Sequence, residues 1–458
     1  MTDRRPATTA LRAFLIALMG LAMLLAAAGP STARPEERPG VALASARYAP
    51  GEVVVKLRGE AGRAVALPPG VGVGEAVRRL RGKPGVAYAA PNYIATASIW
   101  PDDPGTPPGR RGHAGDWVLK QWNFLPCGRD CGAAVAAAEP HAAGGIDAIG
   151  AWRNLRRSGR PGARGVTVAV LDTGIAYRNT GRRFRRSPDF DRRQFVRGRD
   201  VVKNDPLPLD ENGHGTHVAG TIAERTGNGI AMTGLAYGAK LMPVRVLNRL
   251  GNGQSDDIAR GIRFAARHGA DVINMSFNFS CTASVPLVLD AIRFAHRRGA
   301  VIVASVGNWS GLGDNPRECV QMPAAAPHVI GVGGTTESAC LGAYSRRGAD
   351  VDIVAPGGGP GDGGCTDSRP IFQLTFSGAG FKRFGLPADY EGTSMSAAHV
   401  SGAAALVLAS GVLGRRPSAD QVGRRLLATA RDLGAPGRDD SFGRGLLDAG
   451  AATSPAGS

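Results

Sequence analysis

The sequence predicts an α/β protein, a largely parallel sheet with helices on both faces, preceded by a small α+β module. Three observations carry this. From about Gly165 onward, short apolar runs alternate with segments of helical period, the pattern of strand–helix–strand units that build parallel sheets. The runs are continuously apolar, as strands covered on both faces require. Ahead of them, residues 51–93 carry a shorter set of strand and helix signals. A Pro/Gly-rich stretch, residues 100–117, sets these apart; it has no periodicity and reads as a linker or flexible arm.

The 458 residues suffice for one large and one small domain. With 66 glycines, many tight turns are expected instead of a helical bundle. At the start, Arg4, Arg5 and Arg12 precede an apolar run from Phe14 to Ala28, and "GPSTA" ends at Ala33. A charged start, a short apolar segment and small residues read as a secretory signal peptide, residues 1–33. The run is short for a bilayer span, and no second long apolar segment follows. The chain is therefore expected to be secreted, extracellular or periplasmic, with no membrane attachment after signal removal. Six cysteines (Cys127, Cys131, Cys281, Cys319, Cys340 and Cys365) suit disulfides in that compartment. Of the fifteen pairings six cysteines allow, sequential pairing is expected, because each neighbouring pair flanks a loop.

The module at 34–98 reads as strand "GEVVVKLRG" (51–59), helix "GEAVRRLRG" (74–82) and strand and turn "GVAYAAPNY" (85–93). After the linker, residues 99–120, the large domain is placed at 121–455. Its strands are "VTVAVLD" (166–172), "AKLMPVRVL" (239–247), "DVINMS" (271–276), "AVIVASVG" (300–307), "HVIGVGG" (328–334) and "VDIVAP" (351–356). Helical segments are "SDDIARGIRFAARHG" (255–269), with Ser255 as N-cap, and "VPLVLDAIRFAHRRG" (285–299). Sites in such sheets lie at the C-terminal strand ends.

The net charge of +17 raises the question of polyanion binding. The arginines, however, are scattered along the chain, with no basic helix and no aromatic-interleaved stripe. A solvated basic surface is expected, and no nucleic-acid partner.

Three stretches carry chemistry: "VLDTG" with Asp172, "NGHGTHVAGT" (212–221) with His214 and His217, and "GTSMSAAHVSG" (392–402) with Ser394. Ser394 and His399 are five residues apart, about 140° apart around a helix at ~100° per residue. His399 is thus expected to pack or hydrogen-bond, not to act as a local base. Ser394 stands where backbone N–H groups cluster, at the start of the apolar helix, and one of them can help bind an oxyanion. A serine nucleophile needs a base, and the base needs an acceptor that fixes its tautomer. His214 and Asp172 are the right types on elements that can converge. Zinc ligation by His214, His217 and Asp172 is disfavoured, since no His-Glu-x-x-His is present. "GPGDGG" (359–364) completes a G-x-G-x-x-G, but no helix follows it.

The order Asp, His, Ser is that of subtilisin, and "VLDTGI", "GHGTHVAGT" and "GTSMSAAHVSG" together resemble the subtilase family of serine peptidases. The likeness runs from about Gln121 to Ala452, where "FGRGLLDAGAA" (442–452) resembles the family's closing segment. It implies a subtilisin-like fold and a serine endopeptidase acting on protein or peptide substrates, with Asp172, His214 and Ser394 as catalytic residues. "VIVASVGN" resembles the strand ending in the oxyanion-hole asparagine, here Asn308. "INMSF" (273–277) resembles the strand that pairs with substrate beside the first specificity pocket. Ser276, Phe277, Asn278 and Gly307 are accordingly expected to contact substrate.

The resemblance makes 34–98 an inhibitory propeptide, so the chain is expected to be a self-processing zymogen, cut between Ala95 and Gln121, with its own propeptide as intramolecular inhibitor. Against the family's βαββαβ plan, this module lacks the first helix and the strand after it. Other departures are Ser396-Ala397-Ala398 where the family has Ala-Ser-Pro, Asn278 where a pocket-wall Gly is common, Trp309 after the oxyanion Asn, and Gln321 near the pocket floor. No cofactor is expected for catalysis. "TGNGIAMTGLA" (226–236) resembles a loop that wraps a structural calcium, with Asn228 and Asp189 as side-chain ligands; a plain Gly-rich turn is the alternative. A monomer is expected. The alternative to an enzyme is a catalytically silent member used for binding.

Overall fold

Strand β4 (Thr167–Asp172) is apolar along its length because it has two cores to fill: Val168 and Val170 point into one, Ala169 and Leu171 into the other. It lies within a seven-stranded, wholly parallel sheet. The other strands are β5 (Arg199–Asp200), β6 (Lys240–Arg245), β7 (Val272–Met275), β8 (Val301–Ser305), β9 (Val329–Thr335) and β10 (Ile353–Pro356). Their order is β10-β9-β8-β7-β4-β6-β5. From β4 the chain goes out to β5 and β6 on one side and then returns to β7 on the other. The crevice at such a reversal, at the C-terminal strand ends, is where ligands bind in open α/β sheets.

This is a computed structural model and describes residues 48–59, 61–93, 101–128, 140–311, 316–378 and 380–455. The signal peptide expected at 1–33 and Cys131 lie outside the described residues, as does part of the span expected to hold the maturation cut. The described residues fall into two compact units, one within 1–98 and one within 99–458. The smaller has an antiparallel sheet of β1 (Tyr48–Leu57), β2 (Arg63–Ala66) and β3 (Val86–Tyr93), in the order β2-β1-β3, and one helix, α1 (Val73–Arg81). Val53, Val55, Ala76 and Val77 make its core.

In the larger unit, α4 (Ser255–Arg267) and α5 (Pro286–Arg297) cover one face of the sheet through Ile258, Ile262, Val288 and Ile292. The other face is covered by α2 (Ala148–Arg157), α3 (His214–Ala223), α6 (Thr393–Ser410), α7 (Ala419–Ala428) and α8 (Ala449–Thr453). Helix α6 is apolar around its whole circumference, as a helix in the middle of a core must be, and nearly all its residues are buried. A short hairpin, β11 (Thr375–Phe376) with β12 (Phe384–Gly385), precedes it. Ser255 is the first helical residue of α4 and not its N-cap: Gln254 holds that place in extended conformation with no side-chain cap bond. Asp256 and Asp257 in the first turn supply the negative charge favoured there.

The segment 99–120, expected as a linker or flexible arm, is instead packed into the larger unit over its described part. Trp117 is fully buried and donates its indole N–H to the Pro101 carbonyl at 3.1 Å. Asp103 is fully buried, and the Gly105 N–H donates to the Ala231 carbonyl at 2.8 Å. Next in the chain, Gln121 and Thr233 exchange two hydrogen bonds, of 2.7 and 2.9 Å. The segment lacks periodicity because separate residues pin it one by one; a period is the signature of a helix or strand, not of order as such. Disulfides Cys281–Cys319 and Cys340–Cys365 follow the sequential pairing. No helix among the described residues is long and apolar enough to cross a membrane.

Candidate active site

Asp172 is the last residue of β4, and His214 opens α3. The two meet because α3 comes in very close: a Cβ on Gly215 would lie 2.2 Å from the Gly174 carbonyl oxygen and 3.0 Å from Asp172 Oδ1. Only glycine leaves that room. His214 Nδ1 lies 2.8 Å from Asp172 Oδ1 and 3.0 Å from Oδ2. Since a carboxylate can only accept, Nδ1 carries the hydrogen and Nε2 is left with a lone pair. Asp172 is buried and also accepts the Thr173 N–H at 2.7 Å. Burial pulls the His214 pKa down, but the Asp172 carboxylate, with Asp210 further off, outweighs it and leaves a net rise above the ordinary 6.5.

Ser394 is the second residue of α6, and its hydroxyl donates to the Ser276 carbonyl at 3.2 Å. Ser276 Oγ donates back to the Ser394 carbonyl at 2.8 Å, so the residue after β7 and the start of α6 are held face to face. No hydrogen bond joins Ser394 to His214 among the described residues; such bonds are often loose without substrate. Asn308 follows β8. Its Oδ1 accepts from the Thr393 N–H at 3.0 Å and from Thr393 Oγ1 at 2.8 Å. A backbone N–H cannot accept, so the amide orientation is fixed and Nδ2–H2 points the other way. A Cβ on Gly392 (φ 135°) would lie 2.7 Å from that Nδ2, so glycine keeps the space beside the amide open.

Ser276, Phe277 and Asn278 line a cleft of about 400 Å³ together with His214, Leu247 and Phe279. The Asn278 side chain spans to the end of β8: its Nδ2 donates to the Ser305 carbonyl, and Ser305 Oγ donates to its Oδ1 at 3.2 Å. Gly307 (φ 102°) lies directly under the Gln321 carboxamide, which therefore closes over that glycine.

His217 and His399 stand apart from this chemistry. His217 donates Nε2–H to the Ile371 carbonyl at 2.8 Å and stacks on Tyr390 at 4.1 Å, so it does not join His214 as a paired metal ligand. His399 is buried, with Nδ1 bonded to the Met395 carbonyl at 2.8 Å and its ring edge-on to Phe124. Burial holds both imidazoles neutral, with pKa values of about 3 and about 4.

Two residues that sequence reasoning missed matter here. Asp210 is buried and accepts five hydrogen bonds, from Thr173 Oγ1, the Asn212 and Gly213 N–H groups, and the N–H and hydroxyl of Thr216. It thereby ties the end of β4 to the start of α3. The signal was the Asp-x-Asn-Gly turn before His214. The second is Asp103, hidden in the segment taken as a linker. It accepts the Gly227 and Asn228 N–H groups at 2.9 and 3.1 Å. Asp189, also buried, accepts Asn228 Nδ2 at 2.8 Å and the Met232 N–H at 3.2 Å.

Burial raises the pKa of Asp103 to about 6 and that of Asp189 well above the carboxylate range. Buried Glu224 is raised by burial and by Asp189, and both its carboxylate oxygens lack a hydrogen-bond partner among the described residues. Among the described residues no ion pair joins these three acids, and only Arg225, acting on Asp189, eases their charge; such burial is costly. Oxygen-rich and anionic, this set fits a hard divalent cation.

The model of the subtilase family matches residues 163–445. A thermophilic serine proteinase of Bacillus sp. strain AK1 is 35% identical over 250 residues, 55% of this chain and 54% of that protein. The chain thus spans about half the length of that relative. Subtilisin Savinase of Lederbergia lenta is 37% identical over 291 residues, 63% of this chain and 91% of the relative. Among solved structures, a protease from Pseudoalteromonas arctica PAMC 21717 superposes with a TM-score of 0.55 at 30% identity, over 68% of this chain and 94% of the other.

Proposed function

Because the chain belongs to the subtilase family, the subtilisin-like serine peptidases, we propose that it is a secreted endopeptidase that cuts peptide bonds with Asp172, His214 and Ser394 and is made as a self-processing zymogen. The observation that carries the reading is the Asp172–His214 pair at 2.8 Å, with His214 lining one cleft with Ser276, the residue hydrogen-bonded to Ser394. Ser394 Oγ attacks the peptide carbonyl while His214 Nε2 takes its proton. Asp172 supports the imidazolium. Asn308 Nδ2 and the Ser394 N–H receive the oxyanion. The imidazolium then protonates the leaving amine, the C–N bond breaks, and water repeats the sequence on the acyl-enzyme to free Ser394.

Substrate would lie as an extended strand along Ser276–Asn278, with apolar side chains against Leu247, Phe277 and Phe279 in the cleft. The unit at 48–93 would act as the intramolecular inhibitor until it is cut away. The signal-like start at Arg4–Ala33 supports secretion.

Labelling with a fluorophosphonate followed by peptide mapping tests the catalytic reading. Label on Ser394, lost in His214→Ala, is the expected result. A folded, processed chain that takes no label would overturn it in favour of a catalytically silent, substrate-binding protein.

Calcium would be held by Asp103, Asp189 and Asn228, with Glu224 adding charge. Its chemistry there is structural, the neutralising of buried acids far along the chain from Ser394. A hundredfold excess over Kd would stabilise the fold by about 2.7 kcal/mol. Chelation should therefore lower the melting temperature of the wild type, and do so much less in Asp103→Ala. An unchanged wild-type melt would refute the site.

A further inference from the structure

The edge of the sheet opposite Ser394, where the strands begin, carries a cluster that the peptidase reading does not use. His296 lies in the last turn of α5, His328 immediately precedes β9, and Asp420 is in the first turn of α7. One nitrogen from each histidine and one carboxylate oxygen all lie within 4.8 Å of one another. His296 Nε2 is 2.7 Å from Asp420 Oδ1, and the two imidazole rings stack at 3.9 Å.

Two features favour a ligand over a plain ion pair. An ion pair with Asp420 needs only one imidazole, whereas here two bring a nitrogen to the same carboxylate, as the ligands of one ion would. His328 also adopts a left-handed backbone (φ 68°), uncommon for a residue other than glycine. That conformation sets its ring over His296. The neighbouring Arg298 is turned away, donating to the Ala266 carbonyl at 3.0 Å. Arg424, one turn on from Asp420, acts on the carboxylate electrostatically without forming an ion pair with it among the described residues.

We propose that His296, His328 and Asp420 form a surface site for a first-row transition-metal dication such as Zn²⁺, with water in the remaining position. Two imidazoles and one carboxylate suit Zn²⁺ and its neighbours, and not the hard cations that prefer all-oxygen shells. The ion would clamp together the end of α5, the entry to β9 and the start of α7, segments far apart in the chain. It would act on stability, away from the Ser394 end of the sheet.

Calorimetric titration of the full chain with Zn²⁺, without an affinity tag and in calcium-saturated buffer, tests this. One Zn²⁺ per chain is expected, with affinity reduced at least tenfold in His328→Asn and in Asp420→Ala. Asn tolerates the left-handed backbone, so the first variant removes the ring without forcing the turn. His268→Ala, an exposed histidine on the neighbouring helix, should bind as the wild type does. Bound Co²⁺ should give a visible absorption that the same two variants lose. No saturable uptake by the wild type, or wild-type affinity in either variant, would overturn the proposal.

Discussion

Ser394→Ala is expected to lower kcat by about 10⁶-fold, the magnitude for removing the serine or histidine of subtilisin's catalytic unit. If the two serve one step as nucleophile and base, His214→Ala should cost about as much, and the double variant little more than either. Additive losses would mean that the two residues do not serve one step. The fold should survive, since Ser394 is only partly buried and its hydroxyl makes one bond, to the Ser276 carbonyl. Both variants should also keep the 48–93 unit attached.

The same pair sets the pH profile. His214 works as a base only when neutral, and Asp172 holds its pKa above 6.5. Activity in kcat/KM should therefore fall as pH drops through a value above 6.5. An acid limb well below 6.5 would show that Asp172 does not govern the imidazole.

Asn308→Ala is expected to cost about 10²–10³-fold in kcat, with KM little changed, the usual loss for one oxyanion donor. The side chain has two jobs, however. Its Oδ1 holds the Thr393 N–H and hydroxyl, while its Nδ2 points the other way and is the donor proposed for the oxyanion. Asn308→Asp separates them: it keeps the acceptor for Thr393 and removes the donor. If the donor is what matters, this variant will be at least as damaged as Asn308→Ala, because a carboxylate would repel the developing oxyanion. Near wild-type kcat in Asn308→Asp would instead assign Asn308 to holding Thr393.

The residues of this candidate site could be picked out in the sequence because each sits in a short local pattern. A buried strand ending in Asp172, a Gly-flanked His214 opening a helix and a serine at the start of an apolar helix are all written within a few residues; Ser394 lies in the first turn of that helix and not ahead of it. The strands around them could be picked out too, since a strand covered on both faces must be continuously apolar. Ser255 shows the limit of such reading, for choosing between N-cap and first helical residue depends on backbone angles that composition does not record.

The segment 99–120 shows a deeper limit. Its order comes from Trp117 packing edge-on to Trp152 and from Asp103 and Gly105 bonding to Gly227 and Ala231, and none of those partners is near in sequence. The same holds for the acids around Asn228, for the Asn308 amide turned by Thr393, and for the three ligands His296, His328 and Asp420. The sequence by itself determined the long apolar strands, the helices of clear period and the residue types proposed to react, because these depend on spacing along the chain. Which distant side chains meet was decided only by tertiary structure, since that depends on how buried surfaces pack once the backbone has closed on itself.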